Sequence, residues 1–187
     1  MTLAGIILTG GSSRRMGRIK ALLPLDGETF LDRQIRLLEP HCSPVVVVVG
    51  EHAAEIEAGK LRPSLTVINP HPERGMLSSL QCGLAALPKD VDAFLFTPVD
   101  LPRISKETVE QLAHAVGSAP IVIPRCHGRR GHPVLMDASL RPELLAASGS
   151  PRDVIERHAS QVRYLEVDDD GILVDVDTPE EYAALTS

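Results

Sequence analysis

The sequence predicts an α/β fold in which helices sandwich a mostly parallel sheet. Short apolar runs alternate along the chain with helix-length segments, as expected for strands joined by crossover helices. Two of the runs, Leu3–Leu8 and Val45–Val49, contain no polar side chain, and such runs are typical of strands that are covered on both faces. We expect the last strands to form a smaller, mixed β region at the edge of the sheet in the C-terminal half.

The predicted elements follow one another in a regular order. We predict strands at residues 3–8, 45–49, 65–68, 93–97, 121–123, 134–136, 162–167 and 172–174. Helices are predicted at residues 29–38, 53–59, 77–87, 106–116, 140–147, 152–158 and 179–185. Ser150 and Thr178 each precede a proline, which is the pattern of an N-cap followed by the first helical residue. Glu181 completes a capping box with Thr178 and so defines the start of the last helix.

Length and composition bound the class of protein. With 187 residues, we expect one domain spanning residues 1–187 that buries roughly 70% of its unfolded surface. No apolar run approaches the length of about 20 residues that a membrane span needs, and the N-terminus has no signal-peptide pattern. We therefore expect a cytoplasmic protein without a membrane partner. The net charge of −6 and the aromatic content of 3% argue against a nucleic-acid partner.

The cysteines fit the same setting. Cys42, Cys82 and Cys126 are odd in number and widely spaced, so their spacing suggests neither a disulfide framework nor a metal site. We expect reduced thiols.

A loop rich in glycine, serine and arginine follows the first strand. It reads Thr9-Gly10-Gly11-Ser12-Ser13-Arg14-Arg15-Met16-Gly17, with Lys20 three residues further on. Glycines allow the backbone to approach a ligand closely, and successive amides can form an anion site. The spacing differs from that of a Walker A loop and of a dinucleotide-binding fingerprint. A basic loop on an acidic protein therefore predicts a bound polyphosphate, while an incidental glycine-rich turn is the alternative.

Two carboxylates are candidate metal ligands. Asp100 follows a predicted strand and lies between Pro98 and Pro102, so we expect it at the same sheet edge as the basic loop. Asp177 lies beside a helix start, and Asp175, on the same face of an extended chain, is the alternative to it. Each aspartate alone fits an ordinary turn or cap residue. Beside a phosphate loop, however, the carboxylates predict Mg²⁺, which prefers oxygen ligands and is commonly shared with phosphates.

These motifs resemble a known family. The pattern G-G-x-x-x-R-M-G-x-x-K is similar to the signature loop of nucleotidyltransferases that activate sugars and cofactors, above all the molybdenum-cofactor cytidylyl- and guanylyltransferases. Four later segments fit the family in its own order: Asn69-Pro70 with Gly75–80, residues 97–102, residues 131–134 and residues 175–181. The resemblance implies a Rossmann-like fold of the nucleotide-diphospho-sugar transferase type. It also implies Mg²⁺-dependent transfer of a nucleoside monophosphate from a triphosphate to a phosphorylated acceptor, with release of pyrophosphate.

The resemblance also implies roles for individual residues. Arg15, Lys20 and Asp100 are expected to be catalytic, with Arg15 at the β- and γ-phosphates and Lys20 at the α-phosphate or the developing pyrophosphate. Asp100 and Asp177 are expected to hold the metal, and His132 is placed at the acceptor, although a lone histidine is as often structural. The residues expected to bind the nucleotide are Leu8, Thr9, Gly10, Gly11, Ser12, Ser13, Arg15, Gly17, Lys20, Asn69, Gly75, Ser78 and Ser79.

Several alternatives remain at this point. Gly10-Gly11 resembles the guanylyl pattern, whereas Thr9 and the segments 75–80 and 131–134 resemble the cytidylyl pattern, so CTP is favoured and GTP is the alternative. The acceptor is molybdopterin or the molybdenum cofactor, or else a sugar phosphate or another small phosphorylated metabolite. Arg125, Arg129 and Arg130 would attract an anionic pterin phosphate or form a solvated basic loop. The resemblance admits a molybdoenzyme or its chaperone as a partner. A non-catalytic nucleotide-binding accessory protein is the alternative to an enzyme.

Overall fold

The computed structural model describes residues 1–10 and 15–185. Its strands are β1 Leu3–Leu8, β2 Pro24–Leu25, β3 Glu28–Thr29, β4 Val45–Val49, β5 Leu65–Ile68, β6 Ala93–Pro98, β7 Ile121–Cys126, β8 Arg129–Arg130, β9 Val134–Asp137 and β10 Val162–Glu166. Its helices are α1 Phe30–Leu38, α2 Ala53–Gly59, α3 Met76–Ala86, α4 Lys106–His114, α5 Arg141–Ala146, α6 Pro151–Arg157 and α7 Pro179–Leu185. Within the described ranges, no helix is long and apolar enough to cross a membrane.

One large sheet organises the molecule. Its strand order is β10-β7-β9-β6-β1-β4-β5, with β8 paired to β7, while β2 and β3 form a separate hairpin. The pairs β6–β1, β1–β4 and β4–β5 are parallel. β9 runs antiparallel to both of its neighbours, and β10 lies parallel to β7. The predicted α/β fold, with a mostly parallel sheet and a mixed region built from the late strands, is confirmed.

The continuous apolar runs have a simple cause. Along β4, Val45, Val47 and Val49 belong to one hydrophobic cluster, and Val46 and Val48 belong to the other. The first cluster packs the sheet against α1 and α4, and the second packs it against α3, α5 and α6. Because successive side chains of a strand point to opposite faces, a strand covered on both faces needs an apolar residue at every position.

The carboxyl ends of the central strands meet at one edge. The Thr9 amide, just after β1, donates to the Val48 carbonyl of β4 at 2.9 Å. On the other side of β1, the Val99 amide donates to the Leu8 carbonyl at 3.0 Å. The chain runs from β1 to β4 and β5 on one side, and it then crosses to β6 on the other side of β1. The direction of the strand connections therefore reverses at β1. In an open α/β sheet, ligands bind in the crevice at this position.

One predicted strand is wrong. Residues 172–174 do not pair with the sheet, because a 3₁₀ turn occupies Asp170–Leu173. The side chain of Asp169 accepts a hydrogen bond from the Gly171 amide at 2.9 Å, which closes the turn locally. Ile172 is buried against Gly131, so the apolar residues still reach the core without forming a strand. Local aspartate turn chemistry therefore outweighs the strand preference of this apolar run.

The remaining predicted elements are present, with small shifts at their ends. Thr29 caps α1 by accepting from the Asp32 amide at 3.0 Å, and α4 ends at His114 rather than at residue 116. The capping box at Thr178 is confirmed: Glu181 accepts from the Thr178 amide at 2.9 Å, and the Glu181 amide donates to Thr178 Oγ1 at 3.3 Å. The short strands β2, β3 and β8 were not predicted, since two-residue strands carry no periodicity.

Candidate active site

A cavity of about 490 Å³ opens at the carboxyl edge of the parallel strands. Residues that follow β1, β4 and β6 line it, as does the start of α3. Of the residues predicted from sequence, it brings together Leu8, Thr9, Gly10, Lys20, Gly75, Ser79 and Asp100. Gly11, Ser12, Ser13 and Arg14 lie outside the described residues.

The basic end of the loop faces the two predicted metal ligands. The Lys20 ammonium lies 3.4 Å from Asp100 Oδ2 and also donates to Asp177 Oδ1. Arg15 Nη2 donates to Asp177 Oδ2 at 2.5 Å. The Lys20 side chain is only 14% exposed, whereas that of Arg15 is 72% exposed. Lys20 is therefore held between the two carboxylates, and Arg15 covers Asp177 from the solvent side.

Backbone hydrogen bonds hold the two aspartates next to each other. The Val176 amide donates to the Asp100 carbonyl at 2.9 Å, which aligns the segment containing Asp177 with the loop after β6. Glu181 accepts from the Asp177 amide at 2.7 Å and so links this segment to the first turn of α7. Val176 is buried, while Asp175 on its other side is exposed. Asp177 is thus the better positioned of the two C-terminal aspartates.

The pKa values of the two carboxyls move in opposite directions. Burial raises the pKa of Asp100 above its usual range, and the negative charges of Asp177 and Asp175 act in the same sense, although the charge of Lys20 opposes them. The hydrogen bond from Lys20 lowers the pKa of Asp177, and the charges of Lys20 and Arg15 add to this effect. Lys20 therefore stabilises the ionised form of Asp177 more fully than that of Asp100.

This donor set fits a divalent cation. The charges of Asp177 and Asp175 both act on Asp100, and carboxylate oxygens are the hard ligands that Mg²⁺ and Mn²⁺ prefer. The Lys20 ammonium already lies between Asp100 and Asp177, so this pair of carboxylates attracts a cation. Asp100 and Asp177 would hold the metal, while Asp175 is near enough to add to the field.

Two side chains of α1 support the loop that carries Asp100. This role was not predicted from the sequence. The buried amide of Gln34 donates to the Pro98 carbonyl at 2.8 Å and to the Leu101 carbonyl at 3.3 Å. Arg33 Nε donates to the Pro102 carbonyl at 2.8 Å. These bonds satisfy carbonyls on both sides of Asp100, and they fix its backbone from below.

Polar groups line the other end of the cavity. Thr9 Oγ1 donates its proton to the Val48 carbonyl at 2.9 Å. The hydroxyl oxygen can therefore act only as a hydrogen-bond acceptor toward a ligand. Asn69 Nδ2 donates to Ser79 Oγ at 3.0 Å, so the hydroxyl proton of Ser79 points away from Asn69. Gly10 lies so close to Ser79 that an added methyl group would meet its Oγ at 2.8 Å. The hydroxyl groups of Thr9 and Ser79 therefore lie at the same end of the cavity.

The other predicted nucleotide-binding residues occupy supporting positions. Asn69 is buried beside the cavity, and its Oδ1 accepts from the His71 amide at 2.9 Å and from Ser78 Oγ at 3.2 Å. Gly75 lines the cavity with a φ of 87°, a conformation that favours glycine. Gly17 lies on the exposed loop with a φ of 65°.

Further lining residues went unnoticed in the sequence. Gly50 follows β4, and a methyl group there would lie 3.1 Å from Pro72 Cβ and 3.6 Å from Gly10 Cα. The rule that ligands bind beyond the carboxyl ends of parallel strands could have found Gly50, because it directly follows a strand predicted from sequence. Glu51, His52 and Glu73 also line the cavity and carried no sequence signal, whereas Met76 belongs to the segment 75–80 that fitted the family.

His132 and the basic hairpin lie away from this cavity. His132 Nδ1 is 3.4 Å from the Phe96 carbonyl, and its ring packs edge-on against Phe96 with 5.5 Å between ring centres. Burial lowers the pKa of His132, which favours the neutral ring. Arg125 pairs with Glu166 through Nε at 2.5 Å, and both Arg125 and Arg130 lie over the Tyr164 ring. These contacts give structural roles to His132, Arg125 and Arg130.

Comparison with known proteins now decides the family. Residues 5–162 match the family described as "MobA-like NTP transferase domain". The chain belongs to this family. It is a nucleotidyltransferase, and Lys20, Gly75, Ser79 and Asp100 from the motifs that predicted it line the cavity at the carboxyl edge of the sheet.

Named relatives of this MobA-like chain cover most of its length. It is 33% identical to the nicotine blue oxidoreductase of Paenarthrobacter nicotinovorans over 95% of this chain and 93% of that one. It is 29% identical to the molybdenum cofactor cytidylyltransferase of Escherichia coli (strain K12) over 95% of this chain and 92% of that one. It is 32% identical to the "Probable molybdenum cofactor guanylyltransferase" of Mycobacterium avium (strain 104) over 99% of this chain and 95% of that one.

Solved structures agree with the fold. The crystal structure of Rv0371c from Mycobacterium tuberculosis H37Rv superposes with a TM-score of 0.87 at 25% identity, over 99% of this chain and 97% of that one. A second crystal structure of the same protein, titled as a complex with manganese, superposes with a TM-score of 0.82 at 22% identity, over 100% of this chain and 98% of that one.

Proposed function

We propose that this chain, acting as one unit over residues 1–187, transfers CMP from CTP to a phosphorylated acceptor of the molybdopterin type, with Mg²⁺ as cofactor. The observation that carries the proposal is the convergence of Asp100 and Asp177 on Lys20 beside the phosphate loop. Nucleotidyl transfer needs positioned reactants and positive charge at the phosphates, and this arrangement offers both.

Each charged side chain then has a distinct task. Arg15 binds the β- and γ-phosphates, for which its planar guanidinium is suited. Lys20 moves its hydrogen bonds from the carboxylates to the α-phosphate, where negative charge develops during transfer. Asp100 and Asp177 hold the metal, which supplies further positive charge to the phosphate oxygens when bound. Attack by an acceptor phosphate oxygen forms the new P–O bond, and pyrophosphate leaves.

The proposed end for the base is the one lined by Thr9 and Ser79. A pyrimidine or purine edge presents a donor beside an acceptor, and the lone pairs of Thr9 and the proton of Ser79 complement that pattern. CTP is preferred to GTP because Thr9 and the segments 75–80 and 131–134 follow the cytidylyl pattern. Asn69 acts through Ser79, whose hydroxyl it orients.

The acceptor is proposed from the names of relatives and from the segment 131–134, which contains His132. Two of the relatives named above act on the molybdenum cofactor. His132 remains the proposed acceptor-side residue, and its burial favours a positioning role. A molybdopterin-type acceptor is preferred to a sugar phosphate on these grounds, and a molybdoenzyme or its chaperone would receive the product.

A nucleotide panel tests the proposal directly. We expect pyrophosphate release with CTP, molybdopterin and Mg²⁺ together, and much less with GTP, ATP or UTP. Asp100→Asn and Asp177→Asn should each abolish most turnover, whereas Asp175→Asn should retain it, because Asp175 is exposed and lies beyond the pair. Equal loss in all three variants would contradict the assigned ligands. Equal release without a divalent metal would contradict the metal-dependent mechanism. No pyrophosphate release from any nucleotide would contradict nucleotidyl transfer, and it would favour a different chemistry such as that named for the Paenarthrobacter relative.

Base recognition has a separate test. Thr9→Val and Ser79→Ala should change the CTP-to-GTP ratio of kcat/KM by about tenfold or more, because a base edge would lose a hydrogen bond in a partly buried site. Ser78→Ala is the matched comparison, since its hydroxyl is bonded to Asn69 and to the His71 carbonyl. The measurement is steady-state kinetics for each nucleotide. An unchanged ratio in both variants, with only the KM for acceptor affected, would move these residues to the acceptor side.

A further inference from the structure

Three potential metal ligands meet away from the active-site cavity. They are Cys126 at the end of β7, His127 in the turn after it, and Asp170 at the start of the 3₁₀ turn. One donor atom from each residue lies within 4.8 Å of the other two. Cys126 Sγ is 3.6 Å from Asp170 Oδ1, and His127 Nε2 is 3.4 Å from the same oxygen.

These separations match a known coordination geometry. Ligands at 2.0–2.3 Å from a tetrahedral Zn²⁺ lie roughly 3.3–3.8 Å from one another. Both measured separations fall in this range, and thiolate, imidazole and carboxylate are all ligands that Zn²⁺ accepts. Mg²⁺ would not be favoured here, because it avoids sulfur and nitrogen ligands.

Short turns of defined geometry carry two of the three residues. β7 and β8 are joined by His127 and Gly128 alone, and both have a positive φ, of 49° and 75°. This is the pattern of a tight type I′ hairpin turn. Asp170 follows Asp169, whose buried carboxylate accepts from the Ser105 amide at 2.9 Å and from Thr108 Oγ1 at 2.6 Å. A metal ion would therefore meet ligands that are already in place.

Carboxylates lie beside the thiol. Asp170 Oδ1 contacts Cys126 Sγ, and the charge of Asp168 also acts on the thiol. A divalent cation would balance the carboxylates and displace the thiol proton, which is released to solvent as the metal–sulfur bond forms.

We propose that Cys126, His127 and Asp170 form a Zn²⁺ site, with water as the fourth ligand. The site is separate from the carboxylates of the active site, and the proposal does not depend on the proposed function. It joins the β7–β8 hairpin to the segment that leads into Asp177. Its first effect is therefore structural, since it ties together two parts of the mixed β region.

Cobalt(II) is the probe of choice, because a thiolate bound to cobalt gives a charge-transfer band in the near ultraviolet that carboxylates alone do not give. We expect one equivalent of Co²⁺ to produce this band in the reduced full-length chain, and Zn²⁺ to displace it. The background variant Asp100→Asn/Asp177→Asn should keep the band. Cys126→Ser should lose it, whereas Cys82→Ser, a change at a partly buried thiol outside the cluster, should retain it.

His127→Asn and Asp170→Asn guard against a folding artefact, because both side chains are more than two-thirds exposed. Each should weaken Co²⁺ affinity by at least about tenfold, since loss of a direct ligand costs no less than loss of an outer-sphere partner. Zn²⁺ should raise the Tm of the wild type and not that of these variants. The proposal is overturned if the wild type gives no thiolate band, if the band survives in Cys126→Ser, or if both exposed variants bind Co²⁺ with unchanged affinity.

Discussion

At the scale of single residues, Lys20 is the centre of the site. Its ammonium contacts both Asp100 and Asp177, and the side chain is largely shielded from water. A bound metal would occupy the same negative region, so Lys20 and the metal compete for the two carboxylates until a phosphate draws Lys20 away. Lys20 pairs with the carboxylates in this structure, and in the proposed mechanism it would contact the phosphate during transfer.

Arg15→Ala and Lys20→Ala should consequently differ. Arg15 is mostly exposed and is assigned to the outer phosphates, so its loss should raise the KM for nucleotide with a small effect on kcat. Loss of Lys20 should lower kcat by about 100-fold, the usual cost of removing one preorganised charge contact to the transition state. The Mg²⁺ concentration for half-maximal rate should fall in Lys20→Ala, because the competing ammonium is gone.

Arg18→Ala is the control for both variants. Arg18 belongs to the same basic loop, but its guanidinium lies over the Tyr182 ring, 5.8 Å from the ring centre. Steady-state kinetics over nucleotide and Mg²⁺ concentrations distinguish the cases. If all three variants behave alike, the assignment of separate phosphate positions is wrong.

The sequence predicted the chemistry of this site better than its geometry. Glycines, basic residues and aspartates near strand ends identified Lys20 and Asp100, because their residue types suit phosphates and metals. No sequence pattern could show that Lys20 contacts Asp177, since the fold brings these distant positions together, in part through the hydrogen bond between Val176 and Asp100. The zinc proposal has the same origin: Cys126 and Asp170 are distant in sequence and adjacent in space.

At the scale of elements, α1 supports the loop between β6 and α4. Gln34 is buried and donates to two carbonyls that flank Asp100, so the helix holds the backbone of the proposed metal ligand. A helix was predicted at residues 29–38, but its sequence could not predict this role, because a polar residue on a helix normally faces solvent. The wrong strand at 172–174 has a related cause: a local aspartate turn decided the conformation there.

Gln34→Ala should reduce kcat by about tenfold or more, because small displacements of a catalytic group are costly. It should also lower the free energy of unfolding by about 1–3 kcal/mol, since buried carbonyls lose their donor. Gln81→Ala is the matched control: its amide also donates to three backbone carbonyls, those of Leu144, Leu145 and Ala147, away from the cavity. Activity assays and denaturant unfolding of both variants decide. We expect both variants to be destabilised to a similar extent and only Gln34→Ala to lose activity. If the two variants are equally active, Gln34 does not position Asp100.

At the scale of the whole molecule, the buried charge of Asp100 opposes folding. The raised pKa of Asp100 means that folding disfavours its charge, mainly because the carboxylate is buried and two more aspartates lie nearby. The stability associated with this group is therefore complete below its unfolded pKa and is lost as the pH rises through its folded pKa. Catalytic sites are often held in such unfavourable arrangements, at a cost to stability.

Asp100→Asn should accordingly be more stable than the wild type at neutral pH, and its advantage should shrink as the pH falls through the raised folded pKa of Asp100 and be gone below the unfolded pKa of an aspartate, about 3.9. Mg²⁺ should reverse the order by stabilising the wild type alone, because only the wild type keeps both carboxylates.

Asp153→Asn is the control with the opposite sign. The Ser150 amide donates to Asp153 at 2.7 Å and lowers its pKa, so the stability it confers is present above its unfolded pKa and is lost in acid. Urea unfolding across the pH range, with and without Mg²⁺, measures all three chains. If the wild type is instead more stable than Asp100→Asn at neutral pH without metal, the attraction of Lys20 outweighs the cost of burying the Asp100 carboxylate. Lys20 rather than the metal would then be the main partner of Asp100.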